Sequence, residues 1–301
     1  MFTKHLYLIF FLVMSFTQKG LACNGGCPAG GGYLGIVPQF SKNFVGLRYR
    51  VRSFESHNHD AANQSSLFQF QTAEVWGRFY PSKRIQAFVF LPFQMNSEKI
   101  AKGVNQVQNI GDISFVFNYN LLNTGDSVGC YWKHNLLLGI GAKLPTGKYQ
   151  QRNESKQIYP LAFQPGTGAY SGIFSAIYTL RKGKIGFNSN ATYYYNGQNE
   201  LEYSFGNMLS LSGNMFYWMK WGNVSFLPSI GTYNEIAARD IDNGYYVNNT
   251  GGSLGYLSIG SDVYLNRLAL GLTVQTPYLV QIPENAMKND FRMIASATVL
   301  F

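Results

Sequence analysis

Charge is scarce in this chain: only 13% of its residues are charged, about half the ~25% of soluble domains. Long apolar runs are scarce as well. Apart from the N-terminus, none approaches the ~20 residues that a transmembrane helix needs, which excludes a helical membrane protein. Three cysteines and four histidines in 301 residues leave little for a metal framework or for histidine-based catalysis. Aromatic residues, by contrast, reach 16%, and there are 32 glycines. Low charge, abundant Tyr, Phe and Gly and no spanning helix fit an all-β protein, a transmembrane up-and-down antiparallel β-barrel with its apolar residues at alternate positions.

Residues 45–54, VGLRYRVRSF, show the pattern most sharply. Side chains alternate across a strand with period two. Val45, Leu47, Tyr49 and Val51 therefore share one face, and Arg48, Arg50 and Arg52 share the other. About a dozen segments downstream repeat a lipid-like face. The stretch reads as the first strand of the barrel, with its arginines in the lumen.

The N-terminus reads as a targeting signal. Lys4 and His5 precede the apolar run 6–16, and Gly20, Leu21 and Ala22 supply small residues for cleavage. Removing residues 1–22 takes away Lys4 and Lys19 and leaves 22 basic against 15 acidic residues, a net +7. Residues 23–43 form a Gly- and Cys-rich periplasmic segment, and 44–301 the barrel. Cys23 and Cys27, spaced C-x3-C, have two readings: a small periplasmic disulfide or a soft metal site. The lack of a nearby third or fourth ligand favours the disulfide. Cys23 directly after Ala22 also stands where a lipidated cysteine would, although Gly20 departs from the usual branched residue and a spanning barrel needs no anchor.

Twelve strands are expected: 44–54, 68–80, 84–93, 112–121, 131–145, 169–180, 184–195, 203–219, 224–238, 254–265, 268–282 and 291–301. Merging or splitting a hairpin gives ten or fourteen. Pro228 inside the ninth implies a bulge or a local break in pairing. Residues 95–109 read as a polar loop, and 146–168 as the longest one. Long connections follow odd strands and short turns follow even ones, as in bacterial barrels with external loops and periplasmic turns. The last strand ends on Phe301 and presents Phe291, Met293, Val299 and Phe301 on one face. It resembles the strand by which outer-membrane assembly machinery recognises its clients. Tyr80, Trp132, Trp218 and Trp221 sit near turns, where an aromatic girdle would contact the outer-membrane lipid.

Gly111-Asp112-Ile113 opening one strand and Lys143-Leu144-Pro145-Thr146-Gly147 ending the next resemble motifs of outer-membrane barrels related to the meta-pathway phenol-degradation family. Residues 35–40, 43–50 and 74–81 resemble a Gram-negative subgroup described as transporters. The resemblance implies a barrel in the outer membrane of a Gram-negative bacterium and the passage of small molecules. It carries no catalytic or substrate residues.

No enzyme and no cofactor are expected. His57 and His59 fall in the first external loop and His134 on a lipid-facing parity, so no histidine stands beside a nucleophile as a base. His57-Asn58-His59-Asp60 has donors suited to a transition metal, but a polar loop that happens to hold two histidines explains it as well. The parity of the strands turns Arg48, Arg50, Arg52, Glu74, Arg78, Arg84, Asp112 and Lys143 inward as pore-lining residues, with Asp262 and Arg292. A cationic ladder draws small anionic or polar solutes. The competing reading is a salt-bridge network, with packed Trp76, Phe88 and Phe90, that fills a narrow lumen and leaves a binding or scaffold protein. Nucleic acid is not an expected partner, because the basic residues lie inside or at turns rather than on one exposed face.

Overall fold

The computed structural model describes residues 42–57, 65–100, 103–124, 131–153, 156–248, 250–281 and 288–301. The signal peptide, Cys23, Cys27, His59 and Cys130 lie outside the described residues, as does the side chain of His57.

Twelve antiparallel strands close into a barrel. They are β1 (Phe44–His57), β2 (Ser65–Ser82), β3 (Ile85–Ile100), β4 in two pieces (Gly103–Ile110 and Ser114–Asn123), β5 (Trp132–Lys143), β6 (Ser171–Lys182), β7 (Ile185–Asn196), β8 (Met208–Tyr217), β9 (Val224–Ala237), β10 (Gly252–Leu265), β11 (Leu268–Gln281) and β12 (Lys288–Leu300). Each pairs with its neighbours in the chain, and β12 pairs with β1 from Phe44↔Leu300 to Glu55↔Lys288. The ring therefore leaves no open edge, the condition for placing a sheet in lipid.

The faces sort as the period-two pattern requires. Leu47, Val75, Ile140, Phe174, Ile259 and Leu272 are exposed on the outside, while Asn118, Asn188, Asn214 and Gln275 are buried inside. This apolar exterior around a polar interior is the arrangement of a membrane-spanning barrel. The short turns cluster at one end, and Gly183, Gly222 and Asn266 take the positive φ that tight hairpins need.

Three regions depart from the expected strands. Residues 95–109 are not a loop: β3 runs on to Ile100 and pairs with the first piece of β4 from Phe93↔Ile110 to Ile100↔Gly103. Above the membrane no lipid demands an apolar face, so the alternation fades although the ladder continues. The eighth strand is shorter than 203–219. Tyr203–Ser204 joins Ile241–Asp242 and Tyr245–Tyr246 in a small separate sheet. The chain bends there because the Gly206 N–H donates to Asp240 Oδ1 at 2.7 Å, in a place where a side chain would meet Ala238 O. At Pro228 the pairing breaks without a bulge. The β8–β9 ladder stops at Phe216↔Ser229 and resumes in the same register at Met219↔Phe226, while on the other edge the β7–β8 register continues, with the Trp218 N–H donating to Lys184 O at 2.6 Å.

Candidate functional site

The lumen gathers charge from several strands. Arg48 and Glu74 face each other across the β1–β2 ladder, and Arg48 Nε donates to Glu74 Oε1 at 2.9 Å. Arg50 Nη2 reaches the other oxygen, Glu74 Oε2, at 3.0 Å. Arg52 and Arg292 stand directly opposite each other where β1 meets β12. Glu235 comes across the lumen from β9 to meet both, at 3.7 Å from Arg52 and 3.2 Å from Arg292. Lys143 Nζ lies 3.7 Å from Asp112 Oδ2. Around this chamber five cations, Arg48, Arg50, Arg52, Lys143 and Arg292, share three carboxylates, Glu74, Asp112 and Glu235, an excess of two positive charges.

Of the residues read as pore-lining, Arg78 faces inward but lies below this chamber, and Arg84 stands outside it. Arg78 is buried at the short-turn end, its guanidinium 4.9 Å from the Phe44 ring centre and donating to Lys42 O at 2.9 Å. Arg84 is exposed in the turn before β3 and donates to the Tyr119 hydroxyl at 3.2 Å. Its parity matches the inward residues of β3, but parity governs direction only inside a strand, and Arg84 precedes it. Trp218 likewise leaves the expected girdle. It turns inward and stacks on Tyr264, centroids 6.2 Å apart, while Trp132 and Trp221 remain exposed outside. Tyr80 turns toward inward-facing Gln86, whose Nε2 donates to its hydroxyl at 2.8 Å. Glu235, the acid that spans the lumen, escaped the sequence reading. The parity of Tyr233 and Glu235 is the signal that marks it, but its partners are remote in the chain.

The chamber is bordered above and below by packed side chains. Above, the connection 144–170 folds into the barrel mouth. Phe163 packs against Phe70, centroids 6.2 Å apart, and its carbonyl accepts from Asn96 Nδ2 at 2.9 Å. Gln164, fully buried, donates to Gln151 O and Tyr159 O at 3.0 and 3.1 Å. The two motifs singled out in the sequence form the clasp of this insertion. Asp112 accepts from the Gly147 N–H at 3.0 Å, from the Thr167 N–H at 2.9 Å and from Thr167 Oγ1 at 2.6 Å. Thr146 Oγ1 donates to Gly111 O at 3.0 Å and accepts from the Ile113 N–H at 2.9 Å.

Gly147 and Gly166 let the two ends of the connection touch backbone to backbone. A Cβ on Gly166 would stand 2.3 Å from Gly147 O. Gly166→Ala is therefore expected to loosen the inserted connection by about 1–3 kcal/mol, the usual cost of overpacking. Limited proteolysis should then cut within residues 144–170 faster than in the parent, and an unchanged rate would refute the close contact.

Below the chamber, Phe44, Trp76, Phe88, Phe216, Leu227 and Tyr264 form a buried cluster across the lumen. Phe44 and Trp76 lie edge-on at 4.6 Å. The space between these two borders includes cavities of about 60 and 70 Å³, both lined by Arg50, Glu74, Ser114 and Tyr194. Each has room for a few water molecules. His134 points away from all this, with Nδ1 2.8 Å from the Tyr178 hydroxyl. Among the described residues no group of three His, Cys, Asp or Glu side chains is placed to hold a metal.

No protein-family model matches the sequence, and no curated protein is significantly similar to it. Solved structures are similar in shape. An outer-membrane channel from Pseudomonas putida superposes with a TM-score of 0.61 at 14% identity, over 86% of this chain and 96% of that one. The translocator domain of the autotransporter NalP from Neisseria meningitidis aligns less closely, with a TM-score of 0.46 at 9% identity over 88% and 90% of the two chains. The NanC porin gives 0.42 at 10% identity, over 85% and 99%. At such identities the likeness extends to the fold, and the chain is an outer-membrane-type β-barrel of twelve strands.

Proposed function

We propose that the protein is a channel of the Gram-negative outer membrane that passes small anionic or polar solutes through an arginine-lined chamber. Residues 1–22 would be removed on export, and β12, followed by exposed Phe301, would present the chain to the assembly machinery. One observation carries the reading: five cations against three carboxylates surround the cavities at mid-barrel. Fixed positive charge in a narrow, water-poor passage attracts anions and repels small cations. The name of the Pseudomonas putida protein, an outer-membrane channel, agrees with this role. Solutes would pass when the inserted connection 144–170 moves out and the lower aromatic cluster parts.

The test is single-channel recording of the refolded mature protein in planar bilayers under a salt gradient. Discrete openings with anion preference are expected, and Arg50→Glu, a change of two charge units at the chamber, should reduce or invert that preference. Openings with cation preference would overturn the proposal.

The aromatic cluster supports a second reading, a permanently filled barrel that serves as a binding or scaffold protein, with the Cys23–Cys27 segment as its metal-handling part. A folded barrel that stays silent at all voltages would favour it.

A further inference from the structure

Beneath the aromatic cluster the barrel opens at its short-turn end into a vestibule of about 500 Å³. Lys42, Arg181, Lys184 and Lys220 line it, and among the described residues no carboxylate does. Trp218 and Tyr264, stacked within 7° of parallel, border it as well. Arg181 lies over Trp218, 5.7 Å from the ring centre. Among the described residues none of the four cations is paired with an acid. Four like charges around one cavity repel each other, and among the described residues no carboxylate is paired with them. In the chamber above, by contrast, every cluster of arginines has a carboxylate.

We infer that this vestibule is a binding site for a small soluble polyanion, one bearing a diphosphate or several carboxylates. A monovalent anion gains little from any one exposed cation, whereas a ligand with several charges engages the four together. The volume is that of a small-molecule site. The ligand comes from solution rather than from the surrounding bilayer, because Tyr264 is buried on the inner face of the strands that enclose the vestibule. The short turns place the site on the periplasmic side, where it would meet anions before or after they pass the lumen. Binding itself requires no ion flow, so the site stands apart from whether the barrel conducts.

Isothermal titration calorimetry of the refolded barrel in zwitterionic micelles at low ionic strength tests this, with inorganic pyrophosphate as the probe and foldedness read from the β-sheet circular dichroism. Saturable binding is expected, at least tenfold tighter than that of inorganic phosphate and weakened by added KCl. The double variant Lys184→Gln, Lys220→Gln should bind at least tenfold more weakly, and each single variant should fall between. Lys99→Gln, at the opposite end, should leave the affinity unchanged, as should phosphatidylglycerol added to the micelles. Absence of saturable binding, equal affinity in the lysine variants, equal loss in Lys99→Gln, or competition by the lipid would each overturn the assignment.

Discussion

Glu74→Ala is expected to destabilise the barrel by about 3–5 kcal/mol, the cost of stranding buried charge. Glu74 is 4% exposed and serves two guanidinium groups, Arg48 and Arg50. Arg48 also lies 4.7 Å from the Trp76 ring centre and 5.7 Å from that of Phe90, well away from bulk water. An arginine cannot relieve the strain by giving up its proton. The loss should appear as a lower urea midpoint for unfolding from lipid vesicles, followed by tryptophan fluorescence. The double variant Glu74→Ala, Arg48→Met should recover much of the loss, because it removes the stranded charge along with its partner. A loss under about 1 kcal/mol would mean that water reaches these side chains freely and that the chamber is wide.

The second large effect is expected in conduction. Asp112 holds the inserted connection through three hydrogen bonds, and each bond to a charged group is worth about 1.5–3 kcal/mol. Asp112→Ala removes all of them, and losing even one would shift the docked state by roughly tenfold or more. Open probability in planar bilayers should rise by at least that factor, while residues 144–170 become sensitive to protease. Protease sensitivity without openings would place the decisive seal at the aromatic cluster below. If neither quantity changed, Asp112 would not be the clasp.

The sequence displays the barrel because lipid imposes a strict rule: every second residue of a spanning strand must be apolar. Leu47, Val75 and Ile140 carry that rule on separate strands, and the strand count follows from it. Where lipid ends, so does the signal. The paired ends of β3 and β4, up to Ile100 and Gly103, lack that alternation, and their polar residues read as a loop. The inward parity of Arg48, Arg50 and Glu74 was legible because they lie in mid-strand, whereas Arg84, one residue before β3, obeys its turn instead. The contacts that close the lumen were not legible. Phe163 meeting Phe70, and Glu235 meeting Arg52 and Arg292, join residues that only the closed ring brings together. The glycine and aspartate of the two motifs drew notice, but their purpose, a clasp between Asp112 and Gly147, depends on where a long connection travels.

The seam between the first and last strands has a bearing on how the molecule is put together. Arg52 and Arg292 face each other there, and like charges directly opposite one another oppose strand pairing. The carboxylate that reconciles them, Glu235, arrives from β9, three strands away around the wall. At that level the pairing of the chain's two ends is therefore tied to the position of β9. One carboxylate thus couples the closure of the cylinder to the curvature of the wall beside it, so a change at Glu235 is felt at the seam.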